Sequence, residues 1–168
     1  MYGNKKGQIF AVTGLLAALM MASGCPDKQK KPDELPVANN APAIDENSMG
    51  DSDSGKAMGL QTINFPYDSF TMDDGEKSKA ISNGKIMKEN SGLKVQIEGH
   101  CDQRGGIQYN IALGEKRANA IRKFMEGQGI SADRLAVISY GKERPLDPGT
   151  TEAAFAKNRR ANFVITAK

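Results

Sequence analysis

The chain has 168 residues, of which 39% are hydrophobic and 26% charged, and its formal net charge is +3. This length holds one domain with tails or two very small domains, and it excludes anything larger. The positive surplus falls on residues 60–168, where so mild a balance is usually only solvation and identifies no partner.

The N-terminal segment has the features of a secretory signal peptide. Lys5 and Lys6 precede an uncharged, mostly apolar run of 14 residues that extends from Ile9 to Ala22. This run is shorter than the roughly 20 residues that a membrane-spanning helix needs. We therefore assign residues 1–24 as an export signal and exclude them from the fold.

The predicted cleavage region, Ala22-Ser-Gly-Cys25, resembles the lipobox of bacterial lipoproteins. In that class the cysteine is acylated and becomes the N-terminus of the mature protein, which the resemblance implies for Cys25. More than one acyl chain would hold the protein stably in a lipid leaflet. The alternative is an ordinary signal peptide followed by an incidental cysteine.

The next segment, residues 26–59, has the composition of a flexible linker. Pro, Asn, Asp, Ser and Gly dominate it, aromatic residues are absent, and no apolar periodicity appears. Such a segment buries too little apolar surface to offset the entropy lost on ordering. We predict that residues 25–59 form a lipidated N-terminus and disordered tether, and that residues 60–168 form one domain.

Strands and helices alternate in the predicted domain. The predicted strands are 60–65, 95–99, 135–138 and 160–166, and the predicted helices are 73–90, 111–128 and 151–157. The second strand alternates polar and apolar residues and should be half-buried, whereas the apolar third strand should be buried on both faces. The first helix should pack through Ala80, Ile81, Gly84 and Met87. This order of elements predicts an α+β domain with helices packed on one sheet.

The long second helix carries an arginine on its apolar side. At 100° per residue, one stripe of this helix is formed by Leu113, Ala120, Ile121 and Phe124, and Arg117 lies in its middle. A buried guanidinium is costly unless it reaches a carboxylate or a polar cleft. The alternative is that the charged head extends outward to solvent.

The loop before this helix reads Gly99-His-Cys-Asp-Gln-Arg-Gly-Gly106 and follows the end of a strand. Ligands of open α/β sheets bind at such strand ends, and the two glycines at its end permit close backbone approach. Asp102 on this loop could pair with Arg117. Alternatively, the two side chains could divide around a zwitterion, with the arginine on a carboxylate and the aspartate on an ammonium group.

Several separate stretches resemble the OmpA-like peptidoglycan-binding domain family. They are Val95–Ala120, Ser139–Pro145 and Glu152–Arg160, with a looser similarity at Ile63–Asp68 because of Pro66. The resemblance covers about residues 60–168 and is greatest to the lipid-anchored members of the Tol–Pal system. It implies a βαβαβ(α)β domain with a mixed sheet of about four strands.

The resemblance also implies a ligand, the diaminopimelate residue of the peptidoglycan stem peptide. By motif position, Asp102 takes the free ammonium group and Arg117 the free carboxylate, with help from Arg104. The further pocket positions that the family implies are Tyr67, Asp68, Asn110, Leu113, and Arg159 or Arg160. Replacing Asp102 or Arg117 by alanine is expected to abolish binding and to leave the fold intact.

The same resemblance implies a cellular role. It indicates a lipoprotein on the periplasmic face of the outer membrane that tethers this membrane to the cell wall and supports envelope integrity and constriction at cell division. The implied partners are peptidoglycan, outer-membrane lipids through the acyl chains, and a TolB-like periplasmic propeller protein that competes for an overlapping surface. The alternative is a paralogous OmpA-like lipoprotein that anchors a different envelope complex.

The sequence His100-Cys101-Asp102 could suggest catalysis or a metal site, but the other residues argue against both. Consecutive residues of an extended segment point to opposite faces, His100 is the only histidine, and no C-x-x-C motif occurs. A cell-wall hydrolase or amidase needs a general base beside a nucleophile or a metal. We predict a binding protein that is not an enzyme, with no cofactor and no nucleic-acid partner, in which His100 supports the loop by hydrogen bonding.

Overall fold

The computed structural model describes residues 49–168. The predicted signal peptide, the lipidation site at Cys25 and most of the predicted linker lie outside the described residues. The elements are β1 (Ile63–Asn64), α1 (Asp74–Glu89), β2 (Lys94–His100), α2 (Ile107–Gly127), β3 (Leu135–Gly141), α3 (Glu152–Asn158) and β4 (Arg160–Ala167). None of these three helices is long and apolar enough to cross a membrane.

The four strands form one mixed sheet in the order β1-β4-β2-β3. β4 is antiparallel to both of its neighbours, whereas β2 and β3 are parallel and are connected through α2. The core lies between α1, α2 and one face of the sheet. Its fully buried members include Val95, Ile97, Phe163 and Ile165 from the sheet and Met87, Ile121 and Met125 from the helices. The predicted α+β fold is therefore confirmed.

Two predicted strand environments are wrong, for reasons of sheet topology. β3 is an edge strand, so Ala136 is exposed and residues 137–140 are only half-buried. β2 is central, so Gln96 and Glu98 on its polar side are buried rather than exposed. Their polar atoms are hydrogen-bonded: Gln96 Nε2 donates to Glu98 at 3.2 Å, and Asn162 Nδ2 donates to Glu98 at 3.3 Å.

The ends of α1 follow the sequence prediction, but its packed face does not. Asp73 caps the helix by accepting a hydrogen bond from the Glu76 backbone N–H at 2.8 Å. Ile81 was predicted to pack, yet it is 54% exposed. Asn83 is buried in its place, because its amide both donates to and accepts from the backbone of Gln61, each at 2.8 Å.

Part of the predicted linker is ordered against the domain. The Ser52 N–H donates to the carbonyl of Phe163 at 3.0 Å, the Asp53 carboxylate pairs with Arg160 at 2.7 Å, and Ala57 is fully buried. The described part of the predicted linker, residues 49–59, therefore packs on the domain that was predicted for residues 60–168. Composition did not reveal this segment because backbone and polar side chains hold most of it, which leaves no apolar periodicity to detect.

β2 and α2 approach backbone to backbone at Gly99 and Gly114. A Cβ atom on Gly99 would lie 1.9 Å from the carbonyl oxygen of Gly114, and a Cβ atom on Gly114 would lie 2.3 Å from Ser139 Oγ. No side chain larger than hydrogen fits at this contact. The contact fixes α2 directly beside the C-terminal end of β2, where the loop 101–106 begins.

We expect Gly99→Ala to lower the free energy of unfolding by about 2–3 kcal/mol, because the added methyl group forces β2 and α2 apart. Urea denaturation followed by circular dichroism measures this change. Gly127→Ala is the matched control, since a Cβ at this last residue of α2 would have no atom within 4 Å apart from its chain neighbours and the backbone of its own helix. The control should be neutral or stabilising by up to about 1 kcal/mol. Wild-type stability of the Gly99 variant would show that the contact can open without cost.

Candidate ligand-binding site

A cavity of about 250 Å³ opens beside the C-terminal end of β2. The loop 101–106, the first turns of α2 and the segment after β1 surround it. Its lining residues are Tyr67, Asp68, Cys101, Asp102, Arg104, Gly105, Tyr109, Asn110, Leu113, Arg117 and Arg159. This set contains every residue that the sequence predicted for the site except Arg160. Arg160 extends from the opposite face of the sheet and donates to Asp53 at 2.7 Å.

Arg117 is fully buried, so its head does not extend to solvent. Its Nε donates to the carbonyl of Ser69 at 2.8 Å, Nη1 donates to the carbonyl of His100 at 2.8 Å and lies 3.4 Å from Cys101 Sγ, and Nη2 donates to the carbonyl of Pro66 at 3.1 Å. Burial lowers the pKa of this guanidinium, which nevertheless stays charged at neutral pH. Arg117 therefore joins the segment 66–69 to the end of β2.

The hydrogen bonds of Arg117 leave little of the guanidinium free. Among the described residues no carboxylate pairs with it, so the predicted direct pair with Asp102 is not formed. Nη2 carries two hydrogens and has one acceptor, which leaves one N–H for a ligand oxygen. The side chain thus has a structural role, and although it lines the cavity, its full burial limits it to at most this one further hydrogen bond.

Asp102 is 4% exposed and is paired with two other arginines. It accepts hydrogen bonds from the Arg104 backbone N–H at 3.1 Å, from Arg104 Nε at 3.2 Å and Nη2 at 2.6 Å, and from Arg159 Nη1 at 3.3 Å. Burial alone would raise the pKa of this carboxyl group, but the hydrogen bonds from Arg104 and Arg159 outweigh it and hold the pKa below its ordinary value. Asp102 is therefore ionised at neutral pH.

The guanidinium of Arg104 lies between two aromatic rings. Its Cζ is 4.1 Å from the ring centre of Tyr67 and 4.5 Å from that of Phe155. Its Nη1 also donates to Glu152 at 3.2 Å. The sequence did not assign Glu152 or Phe155 to the site, although their spacing of three residues places both on one face of α3 and Arg159 follows directly after this helix.

Asp68 and Tyr109 close another side of the cavity. The Tyr109 hydroxyl donates to Asp68, and this hydrogen bond raises the pKa of the tyrosine. The backbone φ of Asp68 is +50°, a left-handed conformation that non-glycine residues seldom adopt and that is often found at functional sites. Tyr109 was missed by the sequence prediction, because nothing local links it to a residue 41 positions earlier.

Asn110 supports the loop rather than presenting its amide to the cavity. It is buried, and its Nδ2 donates to the carbonyls of Arg104 at 2.8 Å and Gly106 at 3.1 Å. The backbone carbonyl of Asn110 accepts a hydrogen bond from Cys101 Sγ at 3.3 Å. Burial raises the pKa of the Cys101 thiol to about 11, so at neutral pH this group is not a thiolate nucleophile.

The predicted role of the His100 ring is wrong. The ring lies on the sheet face opposite the helices, where it stacks on Tyr140 with 5.6 Å between ring centres. Neither ring nitrogen has a hydrogen-bond partner among the described residues, and Nε2 is 3.6 Å from Glu98. It is the backbone carbonyl of His100 that supports the site, through Arg117. Within residues 49–168 no group of three or more His, Cys, Asp or Glu side chains is placed to hold a metal ion.

The burial of His100 predicts how the stability of the domain depends on pH. Burial lowers its pKa, although Glu98 opposes the shift. As the pH falls, His100 is therefore protonated in the unfolded chain before it is protonated in the folded one. The free energy of unfolding should fall as the pH drops below about 6.5, until the lower pKa of the folded state is reached. Because the chain has one histidine, NMR titration of its ring proton reads this pKa directly. A value at or above about 6.5 would contradict the prediction.

The OmpA family matches residues 64–159, which is more than half of the chain. The chain therefore belongs to the OmpA family. It is 37% identical over 118 residues to a peptidoglycan-associated lipoprotein of Legionella pneumophila, with 70% of this chain and 67% of that protein covered. The identity to the protein of the same name from Pseudomonas putida is 33% over 159 residues, with 89% and 92% covered.

A solved structure agrees with these sequence matches. The crystal structure of the peptidoglycan-associated lipoprotein from Burkholderia pseudomallei superimposes with a TM-score of 0.61 at 33% identity, covering 62% of this chain and 89% of that one. The family resemblance that the separate motifs indicated is thereby confirmed.

Proposed function

We propose that this chain is an outer-membrane lipoprotein that binds peptidoglycan non-covalently through the diaminopimelate of its stem peptide. The observation that carries the proposal is the pairing of charges in one cavity. Two carboxylates, Asp68 and Asp102, and three guanidinium groups line about 250 Å³ of space. A wall of both signs complements a zwitterion, whereas a wall of one sign would select a simple anion or cation.

The free end of diaminopimelate carries an ammonium group and a carboxylate on one carbon atom. In the proposed complex Asp102 accepts from the ammonium group, and the remaining N–H of Arg117 donates to the carboxylate with help from Arg104. Leu113 and Cys101 contact the methylene chain between the two ends of the ligand. Asn110 holds the loop in place, and Arg159 rather than Arg160 belongs to the site.

Several findings support the envelope role. The relatives reported above are named peptidoglycan-associated lipoproteins, and the sequence before residue 26 has a lipobox-like cysteine. Acylation of Cys25 would place one end of the protein in the outer membrane and the binding domain in the periplasm, as part of the Tol–Pal system with a TolB-like propeller as partner. A paralogous lipoprotein of another envelope complex is the alternative, and a gene neighbourhood without Tol components would favour it.

The arrangement of Cys101 and His100 does not support a catalytic role. The Cys101 thiol is protonated and bonded to a backbone carbonyl, and the His100 ring lies on the other face of the sheet, where it cannot act as the base for this thiol. We therefore propose binding without turnover. Release of any fragment from labelled muropeptides by the purified protein would contradict this part of the proposal.

The decisive experiment is co-sedimentation with purified sacculi. The full chain, purified in detergent, should sediment with intact sacculi, and an excess of meso-diaminopimelate should release it. Sacculi stripped of stem peptides by an amidase should retain little protein. Equal retention on stripped and intact sacculi, with no effect of free diaminopimelate, would exclude the stem peptide as the ligand.

A further inference from the structure

The wall of the cavity contains a closed ring of four charged side chains. Arg104 and Arg159 each contact both Asp102 and Glu152. The distances are 2.6 Å from Arg104 Nη2 to Asp102, 3.2 Å from Arg104 Nη1 to Glu152, 3.3 Å from Arg159 Nη1 to Asp102, and 2.8 Å from Arg159 Nη1 to Glu152. Signs alternate around the ring, so its net charge is zero.

Asp102 has no acceptor capacity left for a ligand in this arrangement. A carboxylate offers about four lone-pair positions, and Asp102 accepts four hydrogen bonds, three from Arg104 and one from Arg159. A ligand ammonium group can bind Asp102 only if one of these donors leaves. The longest of the four bonds, at 3.3 Å, belongs to Arg159, which is the donor most easily displaced.

Glu152 can keep Arg159 paired when its hydrogen bond to Asp102 breaks. Arg159 Nη1 already donates to Glu152 at the shorter distance of 2.8 Å, and its Nε is held by the Phe65 carbonyl at 3.1 Å. Breaking the contact with Asp102 therefore leaves Arg159 with a carboxylate partner and almost in place. Without a carboxylate at position 152, the only acid left in the ring for both arginines would be Asp102.

We propose that Glu152 determines the charge preference of this site: it binds Arg104 and Arg159 so that Asp102 can accept a ligand ammonium group. Glu152 is a positioning residue, since it acts through the arginines and does not line the cavity. The inference rests on the proposed binding of a zwitterion. It adds that Glu152 makes the site prefer a ligand with ammonium and carboxylate groups over one with carboxylates alone.

The test compares two ligands of equal chain length, meso-diaminopimelate and pimelate, which lacks both ammonium groups. Calorimetric titration of the full chain in detergent gives both dissociation constants. In Glu152→Gln the ring has a net positive charge, and both arginines hold Asp102 alone. Diaminopimelate should bind about fivefold more weakly and pimelate about twofold more tightly, so the preference should fall about tenfold.

Two further variants separate this role from a general effect. Glu152→Asp keeps the charge and should retain the preference within about twofold. Glu126→Gln removes a carboxylate from an ion pair with Arg122 near the far end of α2, about 14 Å along the helix from Arg117, and should change the affinity for neither ligand. A wild-type protein that binds neither ligand would contradict the proposed function. Wild-type binding with an unchanged preference in Glu152→Gln, or an equal change in Glu126→Gln, would overturn the assignment of Glu152 alone.

Discussion

Asp102→Asn is expected to abolish retention on sacculi, with an affinity about 30- to 1,000-fold below that of the wild type. The asparagine amide has nearly the same shape as the carboxylate but no charge, and its NH₂ group faces a ligand ammonium group instead of accepting from it. Losing one partner of a buried, hydrogen-bonded charge pair costs about 2–4 kcal/mol of binding free energy. Sedimentation over a range of sacculus concentrations measures the change.

The fold of this variant should largely survive, because Arg104 and Arg159 keep Glu152 as a partner. Thermal unfolding of the unbound protein checks this expectation. Asp133→Asn is the matched control, since this exposed carboxylate lies beside the N-terminal end of β3, at the opposite end of the sheet from the cavity. Binding by a folded Asp102→Asn protein as strong as that of the control would exclude Asp102 from ligand recognition.

The sequence could predict the two most buried charges of the site because their signals are local. Arg117 interrupts an apolar stripe of one helix, and helical periodicity alone reveals the conflict. Asp102 follows a strand within a glycine-containing loop, which is where open sheets bind ligands. Neither signal reveals the partners. The three carbonyls that hold Arg117 come from residues 17, 48 and 51 positions earlier, and a local pattern does not encode such contacts.

The site residues that the sequence analysis did not predict also depend on contacts between distant parts of the chain. Glu152 and Phe155 contact Arg104 at the cavity only because α3 packs beside a loop that lies 48 positions earlier in the chain. The two misjudged strands have a similar origin, since whether a strand is central or at an edge depends on the order of strands in the sheet. That order, β1-β4-β2-β3, is a property of the whole domain.

The structure changes the expectation for Arg117, whose replacement by alanine was predicted to leave the fold intact. We expect Arg117→Met to lower the free energy of unfolding by about 3–5 kcal/mol. Methionine has a similar length, but it leaves three backbone carbonyls without their donor, and each buried unsatisfied carbonyl costs about 1–3 kcal/mol. Arg117→Lys should lie between methionine and the wild type, since a single ammonium group cannot reproduce the planar fork. Guanidinium denaturation measures all three proteins.

Arg122→Met, about 1.4 turns further along α2, is the control for this prediction. Arg122 is partly exposed and, within residues 49–168, pairs only with Glu126, so its loss should change the free energy of unfolding by less than about 0.5 kcal/mol. Sacculus binding by Arg117→Met must be measured without denaturant and at a temperature at which the variant is folded. A variant with wild-type stability and no binding would mean that Arg117 serves the ligand alone. The large loss of stability expected here would instead show that the same guanidinium holds β2 and the segment 66–69 together. The residue that binds the ligand is then also one that stabilises the folded domain.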